Sequence, residues 1–96
     1  MHARIATFEG DPAGIDQMLE GIREDVENDN RPPGLEGATG VMIFVDRATG
    51  KSLGITFFPD EEALKKGDEV LNKMSPDGPT SRRSVEFYEV PIQRMD

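Results

Sequence analysis

The chain has 96 residues, with 19 acidic side chains against 11 basic ones, a net charge of -8 and an isoelectric point near 4.6. That length is one ordinary domain, residues 1–96, and its 22 Leu, Ile, Val and Phe residues suffice for a small core. The acidic balance lacks the basic surplus that nucleic acid or an anionic membrane requires, the lack of Cys removes disulfides and thiolate chemistry, and one His, at position 2, leaves little for an imidazole metal site or a catalytic triad.

Taken along the chain, Ala3 to Glu9 alternates β-formers with polar residues and reads as strand one, closed by Gly10 and Asp11-Pro12. Asp11 is placed to cap a helix with Pro12 at its first position, where a missing N–H costs nothing. Ile15, Met18, Leu19, Ile22 and Val26 then recur at helical spacing and form one apolar stripe. Eight acidic residues against Arg23 between Glu9 and Asp29 make the opposite face strongly negative, as a solvated face or as a site for a cation or a basic partner.

Asn28 to Gly37, with paired prolines, stops the helix and forms a loop. Strand two runs from about Thr39 to Asp46 and strand three from Lys51 to Phe58, an antiparallel hairpin whose turn Arg47-Ala48-Thr49-Gly50 places Gly where a positive φ is expected. Asp60 caps a second helix that carries Glu61 and Glu62 in its first turn and Ala63, Leu64, Gly67, Val70, Leu71 and Met74 as its stripe. Gly67 costs about 1 kcal/mol relative to Ala in a helix, so its place on the stripe points to close contact with the sheet or the first helix. Ser75 to Ser81 is a loop without a large apolar anchor, and Arg83 to Ile92 is strand four. The order β-α-β-β-α-β gives a ferredoxin-like α+β sandwich: a four-stranded antiparallel sheet with both helices on one face. The first residues reach Glu9 without a long apolar region and no run approaches the ~18 apolar residues of a membrane span, so the expected address is the cytoplasm.

A sheet with helices on one face and water on the other should alternate apolar and polar residues. Here Val41, Ile43 and Val45 stand opposite Met42 and Phe44, Leu53, Ile55 and Phe57 stand opposite Gly54, Thr56 and Phe58, Ile5 opposes Phe8, and Tyr88 and Val90 oppose Val85 and Phe87. Both faces are apolar. Two helices cannot cover both, so the second face is expected to meet the same face of another copy in a C2 homodimer.

With that pattern the chain resembles the dimeric α/β-barrel superfamily, which includes the antibiotic-biosynthesis monooxygenase-like domains. The likeness spans nearly the whole chain and rests on the element order, Pro-Gly-Leu-Glu-Gly at 33–37 before strand two, Gly54-Ile55-Thr56-Phe57-Phe58 leading into Pro59-Asp60-Glu61-Glu62-Ala63-Leu64, and Val85-Glu86-Phe87-Tyr88-Glu89-Val90 at the end. Members include cofactor-free oxygenases, haem-degrading enzymes, isomerases and ligand-sensing domains, so the resemblance implies architecture more than chemistry. This chain carries Phe58 where enzymatic members often have Trp, and no His on its second helix. The expected cofactor complement is none: no haem, flavin or tightly held transition metal.

Among candidate ligand-binding residues, Tyr88 is the only Tyr and reads as a proton donor or ligand anchor, or as a core aromatic with a satisfied hydroxyl. Arg4, Thr7 and Thr56 are polar groups on strands that either line a ligand cavity, between helices and sheet or at a barrel mouth, or are ordinary strand Thr and a rim Arg paired with a carboxylate. Asn72 reads as exposed. Arg82 and Arg83 follow the 75–81 loop and meet either an anionic ligand group or the chain's own acidic surplus; the loop itself is expected to be mobile and to gate the cleft. Asp60, Glu61, Glu62, Asp68 and Glu69 diverge around a helix, Asp77-Gly78 is a turn, and Gly34, Gly37 and Gly40 open no helix, so neither a metal site nor a dinucleotide fingerprint is expected. Three functions fit: a homodimer binding a small apolar or aromatic ligand, a cofactor-independent monooxygenase or isomerase using Tyr88 and Arg4, or an interaction domain without a cavity. A pocket of several hundred cubic ångströms touching Tyr88 or Arg4 separates the first two from the third.

Overall fold

A computed structural model describes residues 1–28, 34–73 and 80–95, the side chains of 80–83 excepted. Strand β1 (His2–Gly10) is followed by a 3-10 turn at Pro12–Gly14 and helix α1 (Ile15–Glu27), then β2 (Gly40–Asp46), β3 (Lys51–Phe58), α2 (Glu61–Asn72) and β4 (Thr80–Glu89). The strands form one antiparallel sheet in the order β2-β3-β1-β4, with the helices on one face. This is the ferredoxin-like arrangement that the element order implies.

Local chemistry accounts for most of the boundaries. The Asp11 carboxylate accepts the Ala13 N–H at 2.9 Å, so it caps the 3-10 turn, and α1 begins three residues later than an Asp11 cap alone would place it. Asp60 caps α2 as expected, accepting from the Ala63 N–H at 2.8 Å. In the hairpin Gly50 adopts φ +80°, its N–H donating to the Asp46 carbonyl at 2.9 Å, and a Cβ there would run into the Gly10 carbonyl. Strand β4 runs from Thr80 to Glu89 rather than from Arg83 to Ile92. Its start pairs with the end of β1, Thr80 opposite Gly10, and its last ladder position is Glu89 opposite His2, past which the Val90 N–H donates to the Met1 carbonyl at 2.9 Å. The expected loop therefore loses Thr80 and Ser81 to the sheet, and its remainder, 75–79, lies outside the described residues, as does the gating role drawn from it.

The core lies between α2 and the sheet. Phe58 is fully buried at the end of β3, with Leu35 and Leu64 against it and Ala63, Val70 and Leu71 around them. Gly67 is buried on the same side, where a Cβ would stand 2.5 Å from two Phe58 ring carbons and 3.1 Å from Leu35 Cδ2. The helix glycine thus makes room for the ring, the close contact that its place on the stripe implies. Glu36 fixes the loop that carries Leu35: its carboxylate accepts the Gly34 N–H at 2.8 Å, and a bond from its own N–H, followed by the one from Gly34, holds its pKa below the usual range. Of the α1 stripe, Ile15 and Met18 are buried and Leu19 and Ile22 half-buried, but Val26 is exposed, a correction to the full five-residue stripe.

Register assigns the regularly paired strand residues to a face. Arg4, Thr56 and Phe87 share the helix side with His2 and Phe58; Ile5, Leu53, Ile55, Met42 and Phe44 share the other side with Tyr88. On that helix-free face Phe44 is 50% and Tyr88 49% exposed in the single chain.

Candidate functional site

Helix α2 packs over β1 and β3, and β4 lies at the sheet edge beyond them. Phe87, although on the helix side, is therefore 50% exposed. The uncovered strip forms a cleft of about 350 Å³. Helix α2 lines it with Glu61, Leu64, Lys65 and Asp68, β4 with Phe87, Tyr88 and Glu89, and β1 with His2. Phe87 supplies most of the exposed apolar surface, the buried Leu64 contributes its edge, and Glu61, Lys65, Asp68 and Glu89 share the lining.

Behind Asp68 stands Arg4, only 4% exposed. Its Nε donates to Asp68 Oδ1 at 2.7 Å and its Nη2 to Asn72 Oδ1 at 3.1 Å, while Asn72 Nδ2 reaches Asp68 Oδ2 at 3.3 Å. A buried guanidinium needs such partners, because unpaired it would carry a large desolvation cost. Of the two roles open to Arg4, carboxylate pairing is the one that the geometry displays, and Arg4 is not among the residues lining the cleft. It holds Asp68, a lining residue, in place. Asn72 is exposed, as expected, yet bonded to both.

Tyr88 contributes to the cleft lining, but its strand position opposite Ala3 turns its side chain to the helix-free face. There its hydroxyl donates to Glu86 Oε2 at 2.6 Å, and this bond to a carboxylate, with the repulsion between Glu86 and a phenolate, raises the Tyr88 pKa. Thr56 sits half-buried on the helix side between Arg4 and Val41 without reaching the cleft lining, and Thr7 lies on the opposite face. Arg83 occupies the irregularity where pairing steps from Thr7–Ser84 to Phe8–Arg82; its side chain, like that of Arg82, lies outside the described ones. The residue that sequence reasoning passed over is His2, set aside as a lone terminal imidazole but placed by β1 in the cleft. Its signal was its even-numbered place with Arg4 on strand one.

A second hollow, of about 180 Å³, lies at the start of β2 between Met42, Phe57 and Gln93. Among the described residues no three His, Asp or Glu side chains stand close enough to hold a metal ion. None of the helices among them is long and apolar enough to cross a membrane.

No protein-family profile matches the sequence, and no curated protein does. Solved structures do match in shape. The haem degrader MhuD of Mycobacterium tuberculosis, with two haems bound in its active site, aligns with a TM-score of 0.69 at 11% identity, over 99% of this chain and 100% of that one. An antibiotic biosynthesis monooxygenase aligns with a TM-score of 0.56 at 22% identity, over 94% and 98% of the two chains. A conserved protein from Methanosarcina mazei gives 0.55 at 12% identity, over 91% and 89%. The chain has the fold of antibiotic-biosynthesis monooxygenase-like α/β-barrel proteins.

Haem is a poor fit to this cleft. His2 offers one imidazole, but the lining already carries Glu61, Asp68 and Glu89 against Lys65 as its single lysine, so the two propionates of a porphyrin would add negative charge to an acidic cleft.

Proposed function

We propose that residues 1–96 form one ligand-binding domain of the α/β-barrel class. It works as a homodimer joined through the helix-free sheet face and takes a small apolar or aromatic molecule in the cleft between α2 and β4. The observation that carries the ligand reading is the cleft itself: about 350 Å³ beside a half-exposed Phe87 that faces the helix layer with no helix over it. That volume is at the small end of what ligand pockets occupy. The dimer reading rests on the opposite face, where the half-exposed Phe44 stands beside the half-buried Ile5, Met42, Leu53 and Phe57 on one contiguous apolar side of the sheet.

Catalysis has less support than binding. Arg4 is committed to Asp68 and Asn72, and Tyr88 points its hydroxyl at Glu86 on the other face, so the two polar groups proposed for an oxygenase or isomerase do not converge on the cleft. Native mass spectrometry of protein purified under mild conditions tests the proposal. A dimer near twice 10.6 kDa carrying a co-purified small molecule is the expected result. A bare monomer at micromolar concentration, with nothing bound in any preparation, would overturn it.

A further inference from the structure

The charges around the cleft define the ligand more narrowly. Asp68 is held by Arg4 at 2.7 Å, so its charge is compensated inside the protein. Glu61 and Glu89 remain, and neither forms an ion pair with another described residue; the same holds for Lys65, one turn beyond Glu61 on α2. Among the described residues, two carboxylates without an ion pair stand against one ammonium beside the His2 imidazole, an acidic balance on a chain whose overall charge is -8. A cleft lined by one excess sign concentrates ligands of the opposite sign. The apolar surface of Leu64 and Phe87 excludes a bare inorganic cation as a good match, since a hydrated ion gains nothing from it.

We propose that the cleft selects an amphipathic monocation: an aryl or alkyl ammonium whose apolar body rests on Leu64 and Phe87 and whose charge is directed to Glu61 and Glu89. This rests on the ligand-binding reading above.

The experiment measures affinities of three probes of similar size, 2-phenylethylammonium, 3-phenylpropanoate and 3-phenylpropan-1-ol, from the amide NMR shifts of Leu64 and Phe87 at low ionic strength. One excess charge in a partly solvated cleft favours the ammonium over the carboxylate by about fivefold, and salt reduces the ratio. Glu89→Gln should weaken the ammonium by about threefold and Lys65→Gln should strengthen it by a similar factor, leaving the alcohol unchanged. Both positions are exposed, so neither substitution endangers folding. Equal affinities, or a preference for the carboxylate, would overturn the cationic selectivity while leaving the binding site standing. If none of the three shifts the cleft resonances, the binding site falls with it.

Discussion

Gly67→Ala sets two effects of opposite sign against each other. In a solvent-exposed helix the change gains about 1 kcal/mol through helix propensity. Here the new Cβ would lie 2.5 Å from Phe58 Cε1 and Cζ and 3.1 Å from Leu35 Cδ2. Carbon atoms rest about 3.5–4.0 Å apart, so the ring would have to retreat by roughly 1 Å. Phe58 is 0% exposed and enclosed by Leu35 and Leu64, which leaves no vacant direction. Overpacking of this kind costs about 1–3 kcal/mol, and two ring carbons struck at once argue for the upper end, giving a net loss of about 2 kcal/mol. For a domain of this size that lowers Tm by roughly 8–16 °C, read by far-ultraviolet circular dichroism at equal protein concentration. In a Phe58→Leu background the same substitution should be neutral or stabilising, a coupling of about 2–3 kcal/mol between the two sites. A Gly67→Ala variant that melts at or above the wild type would refute the packing argument.

Three other outcomes follow from the same geometry. Phe44→Glu places a charge on the helix-free face and should raise the dimer Kd at least roughly hundredfold, seen as a monomer by sedimentation velocity; an unchanged dimer would move the interface elsewhere. Asp68→Ala strands the buried Arg4 and should cost about 3 kcal/mol in chemical denaturation, whereas Arg4→Met, which removes the charge, should cost less; the reverse order would contradict the pairing described here. Because Tyr88 is the only Tyr and the chain has no Trp, its ionisation can be followed directly in the ultraviolet. The midpoint should lie above the ordinary phenol value near 10 and fall in Glu86→Gln. A raised pKa favours the neutral form in the folded state, so this small contribution to stability is present below the unfolded pKa and lost as pH rises through the folded one.

Local chemistry made much of the fold legible. Lys51–Phe58, the Asp60 cap, the positive φ at Gly50 and the close packing at Gly67 each follow from a residue whose conformational preference leaves few alternatives. The start of β4 was hidden because Thr80-Ser81-Arg82-Arg83 has no apolar alternation; pairing with the end of β1 decides it, and that is a tertiary contact. The Arg4–Asp68 contact spans 64 positions and leaves no periodic trace, although the i,i+4 spacing of Asp68 and Asn72 was there to read. The cleft depends on where α2 sits across the sheet, a packing choice that no stripe of residues encodes by itself.

Titration of the neutral probe 3-phenylpropan-1-ol into isotope-labelled wild-type protein, followed by two-dimensional NMR, tests the proposed site most directly. Saturable shifts should converge on His2, Leu64, Asp68 and Phe87 and be abolished by Phe87→Asp, which puts a charge on the apolar wall without touching the core around Phe58. Shifts confined to the helix-free face around Phe44 and Leu53, or no saturable shifts up to the probe's solubility, would contradict the account.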